Sequence, residues 1–271
     1  MIDITEFSDL ADFKKTMLRD IFLKIHETND LEKIRSYSNL AISIIAPDSN
    51  LTLLSSSTKD FRSLSTTVEE ATAGLHVART WIAHEVQRAR RAAYPHRFQA
   101  SIDFERNGVI SIPNFFAENL VVRLEREIDT IERSVSKNVS NIISHMRPDT
   151  LALREAVFGK SLGGVSDLRA VVFDCLAFSV THQEARMQYA DNTFVQRLHN
   201  KHGDGDVQKT LHQDTFFPCL KFWYFPKEVT LNDGPLTYAP GSNHLTYKRL
   251  QNIYEQSIAC VRGDVPEERT Y

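Results

Sequence analysis

The sequence predicts an α+β protein, with a helical N-terminal region over residues 1–95 and a β-domain of jelly-roll type over 96–271. Two observations predict it. Residues 1–95 carry apolar side chains at the three-to-four spacing of helices packed on one face. The last hundred residues read instead as short strands, NTFVQRLHN, TLHQDTF, LKFWYF and LTYAP, split by the turn clusters HGDGD, LNDGP and PGSN. Short strands between Gly, Pro and Asn turns are the pattern of a sandwich or jelly roll.

Taken in order, ITEFSDLADFKKTMLRDIFLKIHE reads as a helix with Phe7, Leu10, Phe13, Met17, Leu18 and Phe22 on its buried face. APDSNLTLLSSSTKD is rich in turn formers and reads as a loop. TVEEATAGLHVARTWIAHEVQRARRAAYP reads as one long helix, acidic at its start and basic at its end as the helix dipole favours. Tyr94-Pro95 is its stop. FERNGVISIPNFF, with β-branched residues around Gly108 and then Pro113, reads as a short strand and a turn. AENLVVRLEREIDTIERSV is an amphipathic helix through Leu120, Leu124, Ile128 and Ile131. LRAVVFDCLAFSV fits a buried strand or a helix segment equally.

Composition narrows the partners. The 32 basic and 35 acidic side chains give a formal charge of -3, so no overall attraction to nucleic acid or an anionic membrane is expected. Three separated cysteines, Cys175, Cys219 and Cys260, fit a reducing cytoplasm better than a disulfide framework. The first fifteen residues lack the pattern of a secretory signal, and no apolar run reaches membrane-spanning length. The expectation is a soluble, cytoplasmic protein.

The chemistry is carried by HQD. On a strand, residues two apart face the same side, so His212 and Asp214 would project together while Gln213 turns away. One imidazole and one carboxylate so placed are two corners of the facial triad that holds non-haem Fe(II). The same spacing also suits a plain hydrogen-bonded pair. Lys221, Trp223 and Phe225 share one strand face by the same counting, and so do Phe194, Gln196, Leu198 and Asn200. Trp223 suits a core position or the wall of a pocket, and the amides of Gln196 and Asn200 can donate to a carboxylate or line a polar strand face.

LHQDTFF, then KFWYF, then NDGPLTYAPGSNH resembles the core of the phytanoyl-CoA dioxygenase family, and DFERNGVISIPNFFAENLVVRLEREI resembles that family's entry segment. The resemblance covers roughly residues 96–271, with its signal concentrated in 194–245. It implies a double-stranded β-helix and an oxygenase dependent on Fe(II) and 2-oxoglutarate. His212 and Asp214 would be the metal ligands, and Trp223, Gln196 and Asn200 would line the 2-oxoglutarate pocket.

The family's distal His, and the Arg that pairs with the far carboxylate of 2-oxoglutarate, have no match in YKRLQNIYEQSIACVRGDVPEERTY. Arg249, Arg262 and Arg269 are not preceded by the required strand, and His244 in PGSNH falls where the family's histidine is usually not a ligand. Both missing residues, with the last strands, are expected beyond Tyr271, unless His244 has been recruited. Two other readings stand beside this one. The domain could be a non-catalytic jelly-roll binding module, or His199, His202 and His212 could hold zinc in a hydrolase. The HNKHGDGD stretch itself lacks the spacing and closing Glu of a calcium loop.

Overall fold

A computed structural model describes residues 1–47, 67–113, 116, 118–134, 143–146, 195–198, 223, 225, 228–231 and 235–264. They divide into two compact units, one holding the described residues of 1–96 and 240–264, the other those between 97 and 239.

The first unit is all helical. A 3-10 turn over Ile4–Phe7 leads into α1 (Asp12–Glu27) and α2 (Leu31–Ile45). These are followed by α3 (Val68–Thr72), α4 (Leu75–Ala93) and, at the other end of the chain, α7 (Tyr247–Arg262). Local chemistry sets the boundaries. Asp30 caps α2 by accepting from the amides of Glu32 and Lys33 at 3.0 and 3.3 Å. Thr67 and Glu70 form a reciprocal capping box at the start of α3. Tyr94, ahead of Pro95, ends α4 where the sequence places its stop.

Two helices differ from their expected form. The N-terminal helix is not continuous from Ile4, because the chain is extended at Ser8 and re-enters helix only at Asp12. The break resets the helical phase. Leu18, Ile21, Phe22 and Ile25 turn inward, while Phe13 and Met17 are 65% and 49% exposed. The stretch 67–95 is likewise two helices rather than one. Gly74 separates them at φ +87°, and a Cβ there would run into the Phe7 carbonyl oxygen. Only glycine has both the left-handed backbone and the clearance.

The core of this unit joins Leu18, Phe22 and Ile25 of α1 to Ile34 and Ile42 of α2 and to the length of α4. The Phe22 and Trp81 rings meet edge-on, with centroids 5.3 Å apart. From α7, Leu250, Ile253 and Cys260 enter the same cluster. The Thr72 carbonyl accepts from the Asp9 amide at 3.0 Å and from the Tyr254 hydroxyl at 3.1 Å, tying the N-terminal turn, α3 and α7 together.

The second unit contains α5 (Gln99–Asn107), α6 (Glu118–Ser134), and β1 (Ile143–Met146) paired antiparallel with β2 (Val195–Leu198). Leu120 and Leu124 are buried on α6, with Phe116 packed against them. The expected strand in FERNGVISIP is helix up to Asn107, which Gly108 ends at φ +75°; residues 109–112 join no ladder.

The expected jelly roll is overturned. The described residues that form regular structure are helical apart from the four-residue pairing of β1 with β2. LTYAP joins no ladder, nor do Trp223 and Phe225 of LKFWYF, and the tail continues as the 16-residue helix α7. The reason for α7 lies in its own sequence. Leu250, Ile253, Ser257 and Cys260 recur at three-to-four spacing, Thr246 caps the start through the Arg249 amide, and Gly263 at φ +80° ends it. TLHQDTF, HGDGD, residues 232–234, most of the 46–60 loop and LRAVVFDCLAFSV lie outside the described residues.

Gly74→Ala is therefore expected to destabilise the protein by about 3 kcal/mol, through a backbone clash added to left-handed strain. Gly263 shares the positive φ, but a Cβ added to it would have no atom within 4 Å, so Gly263→Ala is expected to cost about 1 kcal/mol. Urea unfolding of the two variants measures the difference.

Candidate functional site

Of the residues singled out by sequence, His212, Asp214 and Asn200 lie outside the described residues, as do Lys221, His199 and His202. Gln196 stands in β2 with His145 of β1 as its register partner. Trp223 lies in irregular chain and is 48% exposed. PGSN is a turn, as its sequence predicts, with Gly241 at φ +79° and the His244 amide donating to the Gly241 carbonyl at 3.2 Å. Among the described residues no three His, Cys, Asp or Glu side chains are grouped to hold a metal ion.

What sequence reading passes over is the polar content of α4. This helix is buried on all sides along its first turns, yet it carries His76, Arg79, His84, Glu85 and Arg88. Burial pushes His76 well below the ordinary imidazole value, and the adjacent Arg79 charge pushes it further. One Arg79 guanidinium nitrogen lies 3.3 Å from His76 Nδ1, and burial lowers Arg79 to about 10. The His76 imidazole is thus held neutral, with Nδ1 placed to accept from Arg79.

Further along the helix, Glu85 is 8% exposed and is met from two sides. His26 Nδ1 of α1 lies 3.1 and 3.2 Å from its carboxylate oxygens, and Arg88 Nε donates to it at 2.6 Å. The rest of the Arg88 guanidinium closes the end of α1, donating to the Thr28 carbonyl at 2.8 Å, the Ile25 carbonyl at 3.3 Å and Asn29 Oδ1 at 2.7 Å. The Ile25 and Thr28 carbonyls are ones that a helix end leaves without partners.

His84 differs from both. Its Nε2 is buried and has no hydrogen-bond partner among the described residues. Burial lowers the imidazole to about 4, and the charges of Arg249 and His244 add to the shift. Arg249 in turn holds the PGSN turn by its backbone, with one guanidinium nitrogen within reach of the Ser242, Asn243 and His244 carbonyls. A signal for these residues does exist in the sequence: charged side chains at three-to-four spacing inside an apolar helix pattern must be bonded internally.

A comparison with known families decides the affiliation. The phytanoyl-CoA dioxygenase family matches residues 104–258, more than half of the chain. The chain belongs to the phytanoyl-CoA dioxygenase family. Members are typically oxygenases that depend on Fe(II) and 2-oxoglutarate and act on small molecules. The match takes in HQD, the PGSN turn and most of α7. No curated protein and no solved structure matches the chain. Among the described residues, no helix is long and apolar enough to cross a membrane.

Arg88→Ala removes the bonds to α1 and leaves the nearly buried Glu85 with His26 alone. It is expected to cost about 2 kcal/mol. Most of that loss should persist in an Arg88→Ala, Glu85→Gln double variant if capping of α1 is the larger part. Chemical unfolding of the cycle reads the partition.

Proposed function

We propose that this member of the family is an Fe(II)- and 2-oxoglutarate-dependent oxygenase that hydroxylates a small molecule in a reducing cytoplasm. The observation that carries the reading is a family match that spans HQD. In this reading His212 and Asp214 are the metal ligands present in the chain. The donor types fit: a neutral imidazole and a carboxylate are the borderline and hard donors that Fe(II) accepts together. Bound iron with 2-oxoglutarate supplies the activation of dioxygen.

The chain's own residues hold and orient. His212 presents a nitrogen lone pair, so it must be unprotonated to bind, and Asp214 brings the negative charge that offsets the cation. Gln196 and Asn200 are proposed to donate amide hydrogens to the 2-oxoglutarate carboxylates, and Trp223 to cover one side of the co-substrate. A formal charge of -3 argues for a small molecule rather than nucleic acid as substrate.

The test is turnover of 2-oxoglutarate to succinate by the Fe(II)-loaded protein, together with metal content. His212→Ala and Asp214→Ala are expected to lose at least about a hundredfold in succinate formation and most of the bound iron. Gln196→Ala should raise the 2-oxoglutarate KM several-fold with smaller change in kcat. Protein that retains iron after both ligand substitutions, or that never forms succinate, overturns the proposal.

A further inference from the structure

β1 and β2 lie far apart in the sequence, yet they pair antiparallel within the second unit. The register sets Ile143 against Leu198, Ser144 against Arg197, His145 against Gln196 and Met146 against Val195. Successive residues of a strand alternate between the two faces of its ladder. Ile143, His145, Gln196 and Leu198 therefore share one face, and Ser144 and Arg197 fall on the other.

Gln196 gives the first of these faces its meaning. Under the oxygenase reading, its amide donates to a carboxylate of 2-oxoglutarate. Residues directly opposite in an antiparallel pair stand about 4.5–5.5 Å apart, Cβ to Cβ. A carboxylate has two acceptor oxygens, so an anion held at Gln196 is within the span of the residue across the ladder. That residue is His145. Histidine has a ring N–H in both its neutral and its charged form, and it can carry a positive charge that an amide cannot.

The two carboxylates of the co-substrate differ in what they need. The one beside the keto group chelates the metal, whose charge offsets its own. The far one has no such offset, and it gives up hydration when the co-substrate is enclosed. It therefore requires donors from the protein, best from a group that can be cationic. Arg197 is a cation next in sequence to Gln196, but the register puts it on the opposite face.

We propose that His145 and Gln196, paired across β1 and β2, hold the far carboxylate of 2-oxoglutarate between them. The inference rests on the oxygenase reading and adds His145 to it. It makes the β1–β2 ladder the element that selects a 2-oxo acid with a second acid group over one without.

Calorimetric titration of the whole chain, loaded with Fe(II) and kept free of oxygen, tests this with two ligands. One is 2-oxoglutarate; the other is 2-oxopentanoate, in which a methyl group replaces the far carboxylate. The unaltered protein should bind 2-oxoglutarate at least about tenfold more tightly. His145→Ala is expected to weaken 2-oxoglutarate roughly ten- to hundredfold and to leave 2-oxopentanoate within about twofold, because only bonds to the far carboxylate are lost. Arg197→Ala should leave both acids within about twofold. If His145→Ala does not fold, His145→Leu is held to the same outcome.

A loss that falls equally on both acids would make His145 a structural residue and overturn the proposal. Unchanged affinity in His145→Ala, or a larger loss in Arg197→Ala, would overturn it too. The oxygenase reading is checked separately by His212→Ala, which should weaken both acids by removing iron. If that holds while His145→Ala changes nothing, the inference fails alone. If the unaltered protein binds neither acid, the reading fails and takes the inference with it.

Discussion

A helix buried on every side has no solvent in which to place its polar groups, and α4 is such a helix over most of its length. The arrangement around it follows from that constraint. Leu75, Val77, Trp81, Ile82 and Val86 supply the apolar burial, which is favourable wherever it falls. The polar residues between them cannot be placed so freely. Each demands a partner from a particular direction: His76 takes Arg79 from its own helix, Glu85 takes His26 from α1, and Arg88 takes the carbonyls that end α1. Apolar contacts alone would leave the angle between α1 and α4 loosely defined. The Glu85–Arg88 cluster pins it, because a guanidinium that bonds a carboxylate and two carbonyls at once admits little rotation.

The second fixed point is the Phe7 carbonyl beside Gly74. With no Cβ in the way, the 3-10 turn at Ile4–Phe7 lies directly on the corner between α3 and α4. That contact places the Phe7 ring against Tyr247, with centroids 4.9 Å apart, and the Asp9 amide on the Thr72 carbonyl that Tyr254 also uses. A glycine thus helps decide where α7 can rest, acting through the ring and the carbonyl on either side of it.

How far the sequence can be read depends on whether the deciding cause is local. Helix α6, the stop of α4 before Pro95 and the PGSN turn follow from residues within a few positions of each other, and they are in the structure. On α1, Leu18 and Phe22 are buried as the periodicity expects, while Phe13 and Met17 are exposed, because that periodicity runs through Ser8, where the chain is extended. The break at Gly74 has a distant cause, the Phe7 carbonyl, which no local pattern reveals. The helical tail is masked by the strand-like character of what precedes it, although Leu250, Ile253, Ser257 and Cys260 are spaced as a helix. Of the candidate site, the family is legible through HQD and its surrounding turns. The buried polar set on α4 shows in the sequence only as charges spaced within an apolar helix pattern, since histidines and arginines in a helix read as solvated until burial on all sides is known.

The family match ends at residue 258, inside α7, yet α7 is built into a core whose other members come from residues 4 to 89. Leu250, Ile253 and Cys260 would be exposed to water without those helices, and a buried leucine or isoleucine contributes about 1.5–3 kcal/mol. The N-terminal helices are therefore not an appendage that happens to precede the matched stretch. They supply the floor on which its last segment lies. Whatever chemistry the matched residues perform, the end of that segment is held in place by a part of the chain outside the match.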